Sequence, residues 1–194
     1  MQYSIISRKP AYSGFLKIET RSVRYDSFHG HAITAIDHEV LDRGDSAAVL
    51  IYELETDSFL FTRQFRSATA SVQMTNPDTG WLLEIPAGML DEGEDSVAAA
   101  KREVLEEVGY ALSTLKPIYT FYLSPGISTE RVFLFYAETR QQDRLHTGGG
   151  LSDEHEDIEL VKIPVAQAMD NINSGMIIDA KTIVALQWWL LGKN

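Results

Sequence analysis

Apolar and polar residues alternate between residues 14 and 42, first in "GFLKIETRSVRYD" and then in "HAITAIDHEVLD". A period of two predicts two or three strands, with "SFHGH" as the turn between the first pair. Two denser apolar runs follow, "AAVLIYEL" and "SFLFTRQF", which carry Ile51, Leu60 and Phe61 and are joined across "ETD" as a hairpin. "GWLLEIPAGML" predicts a short strand ending at Pro86 and Gly88. The period then lengthens. Val97, Ala100, Val104 and Val108 recur at spacings of three and four, which predicts a helix over residues 95 to 108. Asp95 or Ser96 can cap its start, and Gly109 can end it in a left-handed conformation. "PIYTFYL" and "RVFLFYAET" read as strands around the loop "SPGISTE", and "IELVKIP" as a last strand. "VAQAMDNINSG" and "DAKTIVALQWWLL" read as two helices, and "QQDRLHTGGGLSDEHED" as a mobile polar loop.

Strands and helices are interleaved without a regular parallel alternation. The pattern therefore predicts an α/β fold in which a mixed sheet carries helices on both faces. Residues 1–43 read as a separate small antiparallel β-sheet, and 44–194 as the main domain. No internal repeat or low-complexity tract interrupts either part.

Bulk composition narrows the functions. With 44% hydrophobic residues the 194-residue chain can bury a core. The formal charge of −11 repels polyanions, and no Lys/Arg run offsets it, so no nucleic-acid partner is expected. The chain contains no cysteine, which excludes disulfides, thiolate metal sites and a thiol nucleophile. The N-terminus lacks the apolar centre of a signal peptide, and "IVALQWWLLG" is too short to span a membrane. A cytoplasmic protein with no membrane partner is the expectation. His29, His31, His146 and His155 lack the paired spacing of a zinc site and read as surface residues.

One stretch carries distinctive chemistry. "GMLDEGEDSVAAAKREVLEEVGY" places Glu94, Glu103, Glu106 and Glu107 in and around the predicted helix. Like charges three or four apart oppose a helix by about 0.2–0.5 kcal/mol per pair. A solvated acidic face is the ordinary explanation. Glu103 and Glu107, however, fall beside the apolar stripe rather than opposite it. Carboxylates at the edge of a core suit a hard divalent cation, which takes oxygen ligands.

The spacing of these residues resembles the Nudix box: Gly88, five residues, Glu94, seven residues, Arg102-Glu103-Val104, one residue, Glu106-Glu107, one residue, Gly109-Tyr110. Tyr110 departs from the pattern, since that place is usually aliphatic. Further blocks, "RQFR", "WLLEIPAGM", "SPGISTER", "DEHEDIEL" and "VALQWWL", resemble the ADP-ribose pyrophosphatase branch of the family. Together with the triple glycine at 148–150 they also resemble the related GDP-mannose hydrolases.

The resemblance implies a Nudix α/β/α sandwich and a set of roles. Glu103 and Glu107 would bind Mg²⁺, with Mn²⁺ as a possible substitute, joined by Glu106 and the backbone carbonyl of Ala87. Glu94 and Arg102 would hold the loop against the helix. In the acidic loop, Glu154 would be the general base and Glu156 a further metal ligand, against the plainer reading of a solvated loop. The implied reaction is hydrolysis of the pyrophosphate bond of a nucleoside diphosphate sugar. ADP-ribose, giving AMP and ribose 5-phosphate, is the first expectation. GDP-mannose, giving GMP and mannose 1-phosphate, is the alternative, and a nucleotide sensor without turnover is a third reading that the intact box disfavours.

Substrate contacts are expected from Arg66, Glu130 and Phe28. For Arg66 the alternative is a strand-end salt bridge, and for Glu130 an ion pair with Arg131. Similar enzymes carry an arginine in the N-terminal sheet where this chain reads "AIDHEV", which weakens the expectation of adenine. A homodimer is expected, because a small sheet with apolar strands is not stable alone.

Overall fold

A computed structural model describes residues 1–30, 32–70 and 80–192, apart from the side chains of residues 35 and 36. His31, read as a turn residue, lies outside the described residues. The chain divides into two compact units, Met1–Asp45 with Tyr122–Arg131, and Ser46–Phe121 with Val132–Asn194.

The first unit is a three-stranded antiparallel sheet of β1 (Tyr3–Ser13), β2 (Lys17–Asp26) and β3 (Ala32–Asp42), in that order. Strand β1 has no counterpart among the strands predicted from the alternation. The reason is its composition: it holds Arg8, Lys9 and Pro10, pairs on one side only, and is exposed along nearly all its length. Two register shifts break its period of two, between Ile5 and Ser7 and between Pro10 and Tyr12. The "SPGISTE" segment belongs with this unit. Leu41 N–H donates to Ile127 O at 2.8 Å and Thr129 N–H to Leu41 O at 3.0 Å. Arg131 grips Asp45 through two hydrogen bonds of 2.9 and 2.6 Å.

The second unit is built on a mixed sheet. Its strands are β4 (Ser46–Glu53), β5 (Ser58–Phe65), β6 (Trp81–Glu84), β7 (Ala87–Met89), β8 (Lys116–Tyr122), β9 (Arg131–Thr139) and β10 (Ile158–Pro164), and the main order is β10-β5-β4-β9-β8. Strand β4 runs parallel to β9 and antiparallel to β5. Its first residues, Ser46–Ala48, pair with β7, and its last, Ile51–Glu53, pair with β5. Pro86 interrupts β6 and β7, and its carbonyl accepts Val49 N–H at 3.0 Å.

The central strand is buried on both sides, which explains its unbroken apolar run. Ala47, Val49 and Ile51 face a core completed by Ala100, Val104 and Val108 of α1 (Ser96–Val108). Ala48 and Leu50 face the other core, completed by Ala168 of α2 (Val165–Asn173) and Ala185 and Leu186 of α3 (Ala180–Leu191). This is the α/β/α sandwich with a mixed sheet that the resemblance implies, and the chain also carries the small N-terminal antiparallel sheet. Among the described residues no helix is long and apolar enough to cross a membrane.

Helix α1 starts and stops where its capping residues direct. Asp95 Oδ1 accepts Val97 N–H at 2.9 Å and Ala98 N–H at 3.3 Å. Gly109 closes it at φ 79°, donating to Leu105 O at 3.0 Å. One expectation fails. Val97 is exposed, and the buried stripe is Ala99, Ala100, Glu103, Val104, Glu107 and Val108. The helix core face thus contains two glutamates.

The glycine-rich segment is more ordered than its composition suggests. It holds two short 3-10 turns, Gln141–Asp143 and Ser152–Glu154. Its backbone docks on the end of α1: Leu145 N–H donates to Gly109 O at 2.8 Å, Gly149 N–H to Glu107 O at 2.9 Å and Gly150 N–H to Glu106 O at 3.1 Å. These bonds satisfy helix C-terminal carbonyls that otherwise lack partners.

Candidate active site

Two consecutive turns of α1 turn Glu103 and Glu107 toward the sheet. Glu107 retains 2% of its exposure and Glu103 9%. Opposite them lies β7, where Gly88 lets the Glu103 carboxylate rest on the backbone. A methyl group built on Gly88 would overlap that carboxylate, although the backbone of Gly88 is not in the left-handed region. The glycine is therefore needed for the glutamate, not for the turn. Ala87 N–H donates to Glu107 Oε2 at 3.1 Å.

Arg102 ties the group together. Its Nε and Nη2 donate to Glu94 at 3.1 and 2.9 Å, and its Nη1 donates to Glu103 Oε1 at 2.7 Å and Glu106 Oε2 at 3.1 Å. Nη2 also donates to Met89 O at 3.0 Å, while Glu94 Oε2 accepts Asp91 N–H at 3.0 Å. The loop before α1 is thereby pinned to the helix. One guanidinium serves three carboxylates and leaves Glu107 to its backbone donor.

This leaves a deficit of positive charge. Burial pushes the Glu103 carboxyl up to about 7, despite Arg102, and the charges of Glu106 and Glu156 push the same way. Burial raises Glu107 well above the ordinary carboxylate range, with Glu103 and Glu156 adding to the effect. Glu156 therefore joins α1 electrostatically. Its carboxylate accepts Leu151 N–H at 3.0 Å, within the segment docked on the helix. Glu154 sits in the adjoining 3-10 turn, exposed to solvent.

Arg66 ends β5 close enough to Glu107 for each charge to favour the other's ionised form. Its Nε and Nη2 both donate to Glu84 at 3.0 Å, so the strand-end salt bridge is present. Glu84 is buried and also accepts Lys181 Nζ at 2.5 Å; Lys181 in turn pairs with Asp179 at 3.1 Å. Burial opposes the charge of Glu84, but Arg66 and Lys181 overcome it and hold the carboxyl at about 2. Reading the sequence did not single out Glu84 or Lys181. The available signal was a glutamate enclosed by apolar residues in "WLLEIP", a position that demands a cation.

The remaining candidates belong to the first unit. Phe28 lies in the turn between β2 and β3 and is 90% exposed. Glu130 directly precedes β9, its N–H donating to Ser128 Oγ at 3.2 Å. Ala87, Glu103, Glu106, Glu107, Glu156 and Arg66 belong to the second unit, as does Glu154, two residues before Glu156 in the chain.

Among the described residues, no three acidic or histidine side chains already form a metal-ligand set. The donors nevertheless suit a hard divalent ion. They are all oxygen, two are buried without a full counter-charge, and Gly88 leaves room for a carboxylate against the backbone. Glu103 and Glu107 would hold such an ion, with Glu106 and Glu156 beside them.

A mixed-sheet α/β/α unit with carboxylates clustered on its first helix fits a metal-dependent hydrolase. The NUDIX domain family model matches residues 42–182, and the chain belongs to that family of hydrolases. It is 43% identical over 149 residues to a GDP-mannose pyrophosphatase of Cronobacter sakazakii (strain ATCC BAA-894), covering 77% of this chain and 75% of the relative. It is 39% identical over 169 residues to a GDP-mannose pyrophosphatase of Enterobacter sp. (strain 638), covering 87% and 85%. A crystal structure of an ADP compounds hydrolase superposes with a TM-score of 0.72 at 22% identity, covering 100% of this chain and 97% of that one, and it supports the fold. Nudix hydrolases generally use divalent metal ions.

Two predictions follow from the site. Gly88→Ala is expected to fold but to push the Glu103 carboxylate aside. Its urea midpoint should stay near wild type while the divalent ion needed for half-maximal activity rises about tenfold. The second concerns pH. Carboxyls raised in the folded state bind protons that the unfolded chain has released, so they favour folding below about 4.5 and lose that contribution as pH rises through about 7. The metal-free protein in chelator should therefore show a urea midpoint that falls between about pH 5 and pH 8, and a saturating divalent ion should flatten that slope.

Proposed function

We propose that this chain catalyses the Mg²⁺-dependent hydrolysis of the pyrophosphate bond of a nucleoside diphosphate sugar, with Mn²⁺ as a substitute. The observation that carries this reading is the pair of buried, under-compensated carboxylates Glu103 and Glu107, with Glu156 adding a third charge from the docked loop. A bound divalent ion supplies neutralisation of pyrophosphate charge and a more acidic water. Glu154, exposed in its turn, accepts the proton of the attacking water. Arg66, fixed by Glu84, presents positive charge beside Glu107. Glu130 and Phe28 contact the sugar and the base.

GDP-mannose becomes the first substrate of this reading, giving GMP and mannose 1-phosphate. The support is the set of relatives bearing that activity in their names at 43% and 39% identity. ADP-ribose, giving AMP and ribose 5-phosphate, is the second, supported by the "DEHEDIEL" and "VALQWW" blocks. The protein acts as a cytoplasmic homodimer in this reading. Exposed Tyr3, Ile6, Tyr12 and Phe15 on the N-terminal sheet supply apolar surface for a second copy.

A panel of nucleoside diphosphate sugars, followed by ³¹P NMR of the products with Mg²⁺ or Mn²⁺ present, tests the reading. GDP-mannose should give the highest kcat/KM; faster turnover of ADP-ribose would reverse the order, and inactivity on every member would end the proposal. In the same assay Glu154→Gln should lower kcat by about a hundredfold or more without changing the activating metal concentration. Full activity in that variant would move the base elsewhere.

A further inference from the structure

Tyr110 is the one box position that departs from the usual aliphatic type, and its hydroxyl has a specific use. The residue is fully buried, and its OH donates to Glu53 Oε1 at 2.6 Å. Glu53 is also fully buried, at the end of β4. It accepts Lys162 Nζ at 2.6 and 2.8 Å on its two oxygens and Thr56 Oγ1 at 2.6 Å. Burial opposes the charge of Glu53, but Lys162, Thr56 and Tyr110 overcome it, so the carboxyl stays below its ordinary range. An aliphatic side chain at 110 would remove one of these donors from a buried charge.

The positions of these residues in the chain give the network its meaning. Tyr110 follows α1 directly, and its backbone forms an antiparallel bridge with Arg144, at the start of the segment carrying Glu154 and Glu156. Arg144 lies with its guanidinium 5.9 Å from the Tyr110 ring centre and donates to His146 O at 3.1 Å and Thr147 O at 3.0 Å. Lys162 stands in β10, just beyond the same segment, with its Nζ 5.9 Å from the centre of the Tyr110 ring. Both ends of the acidic segment are thus referred to one ring and one carboxylate. Between them, Gly149 and Gly150 dock on the carbonyls of Glu107 and Glu106.

We propose that Tyr110 is a positioning residue: through Glu53, Lys162 and Arg144 it sets the acidic segment against α1, so that Glu156 faces Glu103 and Glu107. The inference rests on the reading of these carboxylates as a metal site, but part of its test does not.

The experiment compares Tyr110→Phe, which removes only the hydroxyl, with wild type and with Tyr136→Phe. The control deletes a hydroxyl that donates to Glu138 in an exposed bond of 3.1 Å, on a ring packed against the opposite core. Amide hydrogen exchange of Leu145, Gly149 and Gly150 should become about tenfold faster in Tyr110→Phe and stay unchanged in the control. Binding of Mn²⁺, read by electron paramagnetic resonance without substrate, should weaken about tenfold in Tyr110→Phe alone. With an active substrate, kcat should fall with KM nearly constant. If Tyr110→Phe lowers only the melting temperature, leaving exchange in the segment and Mn²⁺ affinity at wild-type values, the residue is merely structural and the inference is overturned. If no substrate is turned over but exchange rises as stated, the proposed function fails while the positioning role stands.

Discussion

The structure depends on an interaction that the protein alone leaves incomplete: two carboxylates, Glu103 and Glu107, occupy the core-facing stripe of α1. A helix face that packs on a sheet ordinarily carries apolar residues, because removing a charge from water without a partner is strongly unfavourable. Here one arginine is divided among three glutamates, and Glu107 accepts the backbone N–H of Ala87. Burial and neighbouring carboxylates raise the proton affinity of both carboxyls, in keeping with this imbalance. In the proposed reading a divalent ion would complete the charge balance, which would link the fold to the chemistry of the family.

The surrounding elements make the arrangement rigid. The pairing of Ser46–Ala48 of β4 with β7, before the strand turns to β5, brings Gly88 under the helix. The Asp95 cap fixes where α1 begins and Gly109 where it ends, so the register of the glutamates is set from both ends. The helix C-terminal carbonyls then serve as acceptors for the glycine segment, which delivers Glu156. Two further buried glutamates, Glu84 and Glu53, have complete sets of cations and donors. Their carboxyls lie below the ordinary range, whereas those of Glu103 and Glu107 lie above it. The contrast sets the fully compensated carboxylates of Glu84 and Glu53 apart from those of Glu103 and Glu107, as the proposed metal site requires.

Elements defined by local period were legible from residues alone. The helix of the box, its caps, the β4–β5 hairpin and the paired C-terminal helices all appear where the pattern predicts them. Strand β1 did not, since it is polar, exposed and twice shifted in register. The loop "QQDRLHTGGGLSDEHED" looked mobile because its order comes from backbone bonds to a helix end, which composition does not encode. The ion pairs of Arg66 with Glu84 and Lys162 with Glu53 join residues 18 and 109 apart in the chain, beyond any periodic signal. A buried acid inside an apolar strand hinted that a cation was required, without naming it. Tyr110 was legible only as a departure from a pattern, and its reason emerged with Glu53 beside it.

Calorimetric titration of the chelator-treated protein with Mg²⁺ near pH 6.5, in two buffers of different ionisation enthalpy, tests the central claim most directly. Because carboxyls that hold protons must release them to bind a cation, binding should be accompanied by proton release, and Glu107→Gln should abolish or strongly weaken it. Absence of Mg²⁺ binding with and without a nucleotide sugar, or binding left unaffected by Glu107→Gln, would contradict the account.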